Sequence, residues 1–206
     1  MKDRSKGALG ALNVDIVAGI VKMIDGRCQT SATIGDLPMQ ADVISSAMIA
    51  MACSNVDYVK IGIFPDKNLP ECIRGLASTV KQLATPVIAV IFADKMPSED
   101  CLTILNESGF YGVMVDTANK NGQHLLDHWG MPHLTSFVEQ AAQQTMLCGL
   151  AGALRLEDIS ILASLDADYL GFRSALCEQR QRTSSLQLEL AKQIKGLINS
   201  NDSVAA

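Results

Sequence analysis

The feature that most constrains this chain is a regular alternation of short apolar, β-branched runs with longer stretches of helical spacing. The runs occupy residues 30–34, 58–63, 87–92, 111–115, 146–150 and 169–172. Their starts lie 23 to 35 residues apart, the length of one strand, one helix and two turns. Between them, Val43, Ala47, Met48 and Met51 share a helical stripe, as do Val138, Ala141 and Ala142. A first helix is predicted over 14–23 and a last one over 185–198, with Leu186, Leu190, Ile194 and Leu197 on one face. Pro97-Ser98-Glu99-Asp100 has the cap residue and acids of a helix start. Such alternation gives parallel strands joined by right-handed crossovers.

Two α/β architectures satisfy that pattern, an open doubly wound sheet and a TIM-type (β/α)8 barrel. Polar or small residues stand at or near the C-terminal ends of nearly all six runs: Thr33 with Asp36, Lys60, Asp94, Asp116, Gly149 with Gly152, and Arg173 with Ser174. In a barrel all of these ends converge on one mouth, whereas an open sheet converges only at its switch point. The spread favours the barrel. Six runs are two short of eight, and residues 1–29 read as a loop plus one helix. The reading is therefore a barrel lacking its N-terminal strand-helix-strand, about 25 residues at this spacing. No Gly/Ser linker interrupts the 206 residues, so they form one domain, with 199–206 as a flexible tail.

Composition excludes several classes. With 48% hydrophobic and 19% charged residues the chain is not disordered. A net charge of −5 argues against a general nucleic-acid surface, and no apolar run is long enough for a membrane span. Six scattered cysteines without a Cys-x-x-Cys, behind no signal peptide, read as buried or free thiols of a cytoplasmic protein.

Lys60 interrupts an otherwise apolar strand. It either snorkels to water from a sheet edge or sits buried, where desolvation lowers its pKa and supplies a neutral amine. Asp116 can pair with such a lysine or move a proton, or it can simply cap a turn. Lys2 and Lys6, beside Gly7 and Gly10, form a basic segment. The loops Gly149–Ala153 and Gly171–Ala175 follow the last two strands, where barrels bind phosphate through backbone N–H groups, and Arg173 adds a charged fork. Glycines there also serve ordinary turns. His124 and His128 have the i, i+4 spacing of a helical metal pair, but no third ligand converges, so no metal site is expected.

Five ordered segments go further: Ser31-Ala32-Thr33-Ile34-Gly35-Asp36-Leu37-Pro38, Asp57-Tyr58-Val59-Lys60-Ile61-Gly62, Asp116-Thr117-Ala118-Asn119-Lys120-Asn121-Gly122, Leu150-Ala151-Gly152 and Gly171-Phe172-Arg173. Together with Lys2 before Lys6-Gly7-Ala8-Leu9-Gly10, this series resembles the (5-formylfuran-3-yl)methyl phosphate synthase family over nearly the whole chain. The resemblance implies a TIM-barrel lyase that condenses two glyceraldehyde 3-phosphate molecules into a phosphorylated furan aldehyde, losing phosphate and water, for methanofuran-type one-carbon carriers. It implies a Schiff-base lysine at Lys2, a proton-accepting lysine at Lys60 and a functional pair in Asp116 and Lys120. Gly152, Gly171, Arg173 and Ser174 are then candidate phosphate contacts. No metal or organic cofactor is expected. The expected partner is a phosphorylated small molecule, not nucleic acid or membrane, with the chain forming a homo-oligomer. Two alternatives stay open: another Schiff-base sugar-phosphate aldolase, or a non-catalytic barrel remnant that binds phosphorylated metabolites.

Overall fold

The computed structural model describes residues 1–3, 6–95, 101–119, 121–181 and 184–202, with the side chains of 201 and 202 left aside. The six expected runs become β1 (Ser31–Thr33), β2 (Tyr58–Ile63), β3 (Val87–Phe92), β4 (Gly112–Asp116), β5 (Leu147–Leu150) and β6 (Tyr169–Leu170). They form one parallel sheet in the order β1-β2-β3-β4-β5-β6, each strand beside the next in sequence. The order is that of a barrel and not of a doubly wound sheet, which would place a crossover in mid-sheet. Among the described residues six strands are present, without the eight-strand closure of a complete barrel.

Helices α1 (Val14–Ile24), α2 (Ala41–Ala52), α3 (Leu69–Gln82), α4 (Cys101–Glu107), α5 (Leu125–His128), α6 (Met131–Gln143), α7 (Ile159–Ala163) and α8 (Leu188–Asp202) fill the connections. Strand alternation sorts the sheet's two faces. Val59, Ile61 and Ile63 join the large core beneath the helices, with Ile44, Met48, Ile73, Leu76 and Leu134. Ile88, Val90, Phe92, Met114 and Ala151 belong to a second, smaller cluster on the other face, covered by Ala8 and Leu9. β3 is buried at every position because both faces are covered, as its unbroken Val-Ile-Ala-Val-Ile-Phe requires.

The strands are pinned at their starts by aspartates. Asp57, just before β2, accepts the Thr30 N–H at 2.6 Å, and Asp168, just before β6, accepts the Cys148 N–H at 2.6 Å. Each is a charge-assisted bond between neighbouring strands, and each fixes their register.

Three expectations need correction. The last helix starts later than 185 and continues through Asp202, so residues 199–202 are helical and not tail; residues 203–206 lie outside the described part. The Ser200 hydroxyl donates to the Leu197 carbonyl at 2.9 Å in that final stretch. The apolar stripe of α8 is fully buried only at Ile194, which meets Ile159 and Ala175, while Leu186 is 61% exposed. α8 packs chiefly on α7 and a short 3-10 turn, so only one residue of the stripe finds a deep contact. The helix start at Pro97–Asp100 lies outside the described residues. No described helix is long and apolar enough to cross a membrane.

Candidate active site

The N-terminal segment lies on the sheet's C-terminal side. The Met1 carbonyl accepts the Thr33 N–H at 3.2 Å and the Met1 amine donates to the Ser31 carbonyl, so residue 1 continues the parallel ladder at the outer side of β1. Lys2 therefore leaves the ladder at the end where the loops gather. The loop behind it closes through the Asp3 N–H on the Gly10 carbonyl at 2.8 Å. Its far side is clasped by Asp36, whose two carboxylate oxygens accept the Ala8 and Leu9 N–H groups at 2.8 Å each. Gly7, at φ +68°, brings the chain against that carboxylate, where a Cβ would collide with it. Held in this way, the Lys2 ammonium donates to the Ala8 carbonyl at 3.0 Å and meets Asp116 Oδ2 at 3.5 Å.

Lys60 is on the opposite side of β2 from Val59 and Ile61, as the period of two dictates. Its amine lies 3.4 Å from Met114 Sδ on β4 and 3.4 Å from the Tyr169 hydroxyl on β6. It thus points across the concave face. Burial pulls its pKa from 10.5 down to about 8; Asp116 opposes that fall and Lys2 adds to it. A lysine so placed has an appreciable neutral fraction near physiological pH. Sequence alone left open whether Lys60 reaches water from an edge; β2 is instead an inner strand, between β1 and β3.

Asp116, the last residue of β4, is buried and faces the same side as Met114. Its Oδ1 accepts the Thr117 N–H at 2.7 Å, which orients Oδ2 towards Lys2. The loop that follows is clasped by Asp94, beyond β3, which accepts the Ala118 and Asn119 N–H groups at 2.7 Å each. Burial acts to raise the Asp94 pKa, but these amides together outweigh it and hold the carboxyl below its ordinary value. Lys120, the last residue of the expected Asp-x-x-x-Lys pair, lies outside the described residues.

The expected phosphate loops reach the same place. Gly152, Gly171, Arg173 and Ser174 line a cleft of about 470 Å³ with Lys2, Met114 and Asp116. Gly152 takes φ +117° and presses against Thr117, so a side chain there would be both strained and crowded. Arg173 is held at its own turn, with Nη1 3.0 Å from Cys177 Sγ. Arg155 and Arg180 line the cleft too, and sequence reasoning missed both. Arg155 stands three residues beyond Gly152, so its place in a glycine loop was the available signal. Arg180 closes the 3-10 turn Glu178–Arg180, at left-handed φ 56°, and carried none.

The histidines do not form a metal pair. His124 is the N-cap of α5 and not a helical residue, because α5 is a single turn. Its ring nitrogens face Asp127 at 2.6 Å and Asp158 at 3.5 Å, tying the loop after β4 to the turn after β5. His133 stacks on Trp129 at 4.1 Å. Among the described residues no cluster of His, Cys, Asp or Glu could hold a metal ion.

A sequentially ordered parallel α/β sheet, with two lysines and a carboxylate at its C-terminal side and an arginine-lined cleft beside them, defines a TIM-barrel-like protein. Solved structures with this architecture include 3-keto-L-gulonate-6-phosphate decarboxylase from Vibrio cholerae, with a TM-score of 0.63, 10% identity, and coverage of 91% of this chain and 79% of that one. Phosphoribosyl anthranilate isomerase from Thermus thermophilus gives a TM-score of 0.59 at 11% identity, covering 91% of this chain and 80% of that one. These likenesses establish the fold. Residues 1–195 match the 4-HFC-P synthase family, and the chain belongs to that family. A Methylorubrum extorquens relative is 38% identical over 185 residues, 90% of this chain and 75% of the relative. The (5-formylfuran-3-yl)methyl phosphate synthase of Methanopyrus kandleri is 31% identical over 192 residues, 88% of this chain and 81% of its own.

Proposed function

We propose that this protein is a (5-formylfuran-3-yl)methyl phosphate synthase that joins two molecules of glyceraldehyde 3-phosphate through a lysine Schiff base. The observation that carries the reading is the pairing of two amines of different character on one face. Lys2 is half-exposed, held at Asp116 and beside the cleft; Lys60 is buried, with its pKa brought down to about 8. The first is accessible to a carbonyl and the second is suited to accept a proton.

In this reading the Lys2 amine adds to the aldehyde carbon of one triose phosphate, and water leaves as the C=N bond forms. The imine acidifies the neighbouring C–H. Lys60 takes that proton, and the electron pair of the broken C–H bond becomes the C=C bond of an enamine. The enamine supplies the carbon nucleophile for joining the second triose. Two triose phosphates balance to the furan aldehyde when one phosphate and two waters depart, so no oxidant or reductant enters. Asp116 and Lys120 assist proton movements. Gly152, Gly171, Arg173 and Ser174 hold one phosphate, and Arg155 and Arg180 supply positive charge for the second. The product's place is in the assembly of methanofuran-type one-carbon carriers.

Borohydride reduction in the presence of glyceraldehyde 3-phosphate, followed by peptide mapping, tests the assignment. The expected adduct is on Lys2, and incubation with glyceraldehyde 3-phosphate alone yields a near-ultraviolet furan aldehyde chromophore. An adduct confined to another lysine overturns the Schiff-base assignment. Trapping without the chromophore points instead to another sugar-phosphate aldolase.

A further inference from the structure

Tyr169 has no part in the chemistry above, yet it is the polar group of β6 that reaches Lys60. Its hydroxyl lies 3.4 Å from the Lys60 amine, and the ring centroid is 5.0 Å from the same nitrogen. These contacts join β2 to β6 across the concave face, 109 residues apart in sequence. The ring is seated by Gly149, its register partner on β5. A Cβ at Gly149 would overlap the far carbons of the Tyr169 ring, so any other residue there displaces it. The β5–β6 register is itself fixed by Asp168 on the Cys148 N–H.

We propose that Tyr169, seated on Gly149, is a positioning residue that holds the Lys60 amine towards the reacting carbon in both of its protonation states. The inference rests on the reading of Lys60 as proton acceptor. A phenol hydroxyl suits the task because it accepts a hydrogen bond from an ammonium and donates one to a neutral amine. One contact thus survives each proton transfer, so the amine need not reorient between turns of the cycle. The ring face adds a preference for the ammonium, which opposes the effect of burial. Burial pushes the phenol's own pKa well above its ordinary value, so Tyr169 stays neutral and does not compete as a base. The other charged groups bearing on Lys60 are Asp116, which favours the ammonium, and Lys2, which disfavours it. The Met1 amine is also electrostatically coupled to Lys60.

The test follows the Lys60 pKa and turnover separately. With 13Cε-lysine labelling, the Lys60 signal is assigned by its loss in Lys60→Arg and titrated by NMR. In Tyr169→Phe the ring remains and the hydroxyl is lost, so the Lys60 pKa should fall by about half a unit to one unit. The acid limb of kcat/KM against pH should move down with it, and kcat should drop roughly tenfold with KM nearly unchanged. Gly149→Ala should lower kcat by a similar factor in the wild type but add less than about twofold in Tyr169→Leu, since the ring it displaces is gone. A general loosening of the barrel would admit water and raise the Lys60 pKa towards its ordinary value, the opposite sign. An unchanged or raised Lys60 pKa in Tyr169→Phe, or a Gly149→Ala penalty undiminished in Tyr169→Leu, overturns the proposal. Should Lys60→Arg remain fully active, the catalytic reading of Lys60 fails, while the NMR titration still reports whether Tyr169 holds the amine.

Discussion

A buried lysine imposes a stability cost, and the structure sets its size. Lys60 titrates at about 8 in the fold against 10.5 in an exposed chain. That difference corresponds to ~3 kcal/mol of disfavour for the ammonium in the native state. Below about pH 8 both native and unfolded chains carry the proton, so the whole penalty acts on the fold. Between about 8 and 10.5 the unfolded chain still holds a proton that the native protein has released, so stability rises with pH. Above 10.5 both forms are neutral and the penalty is gone. Lys60→Met keeps an unbranched apolar stem in the same space and removes the ionisable amine. Against the gain stand the lost contacts with Tyr169 and Met114 and one fewer cation near Asp116, which retains Lys2 at 3.5 Å. The expected result is an inactive protein more stable by about 1–3 kcal/mol at pH 7, with the advantage shrinking steadily towards pH 10. Urea unfolding of both proteins at pH 7, 8.5 and 10 reads this directly, and Lys67→Met at an exposed site serves as control, with a change of under about 0.5 kcal/mol. A variant less stable than wild type at pH 7, or a gain of equal size at pH 10, would refute the reasoning.

The two lysines should separate by trapping. Lys2→Gln should lose borohydride trapping and turnover together, whereas Lys60→Arg should keep the adduct on Lys2 and fall below about a tenth of the wild-type rate, because arginine stays protonated. Mass mapping and initial rates check both. Asp94→Ala removes the acceptor of two consecutive loop amides, so kcat/KM should drop roughly tenfold or more with little change in Tm; hydrogen exchange at Ala118 and Asn119 should accelerate in parallel, and unchanged exchange would contradict the clasp. Burial pushes the Cys101 and Cys148 thiols up to about 12 and raises that of Cys72, while Cys28 and Cys53 are exposed. A native thiol-reagent titration should therefore label Cys28 and Cys53 quickly and the buried Cys72, Cys101, Cys148 and Cys177 only on unfolding.

What the sequence revealed was what local periodicity carries. β2 and β3 run from Tyr58 to Ile63 and from Val87 to Phe92, the limits that their apolar runs predict, because both are covered on two faces and end at polar loops. The side of β2 that bears Lys60 follows from alternation once the structure turns Val59 and Ile61 to the helices. Local pattern gave less where packing decides. β6 retains only Tyr169 and Leu170, being the last strand of the sheet, with one neighbour among the described residues. The α8 stripe needed a partner surface that periodicity cannot announce. His124 showed helical spacing to His128, but its ring is engaged by Asp158, 34 residues away. The seat of Tyr169 on Gly149 was invisible for the same reason, since it exists only once β5 and β6 are in register.

The two loops that shape the mouth are held by one device used twice. Asp36 beyond β1 and Asp94 beyond β3 each spend both carboxylate oxygens on two consecutive backbone amides. A carboxylate committed in this way fixes a loop and is itself held in place by it. Asp116 is placed differently. It satisfies one amide through Oδ1 and turns Oδ2 to Lys2, and its charge extends to Lys60. The consequence concerns basicity. Were Asp36 or Asp94 released from its amides and turned inward, it would stabilise the ammonium forms and lift Lys60 back towards its ordinary value, away from the range in which it can accept a proton at neutral pH. The amide clasps thus order the loops and hold both carboxylates on the backbone, while burial is the largest influence on Lys60.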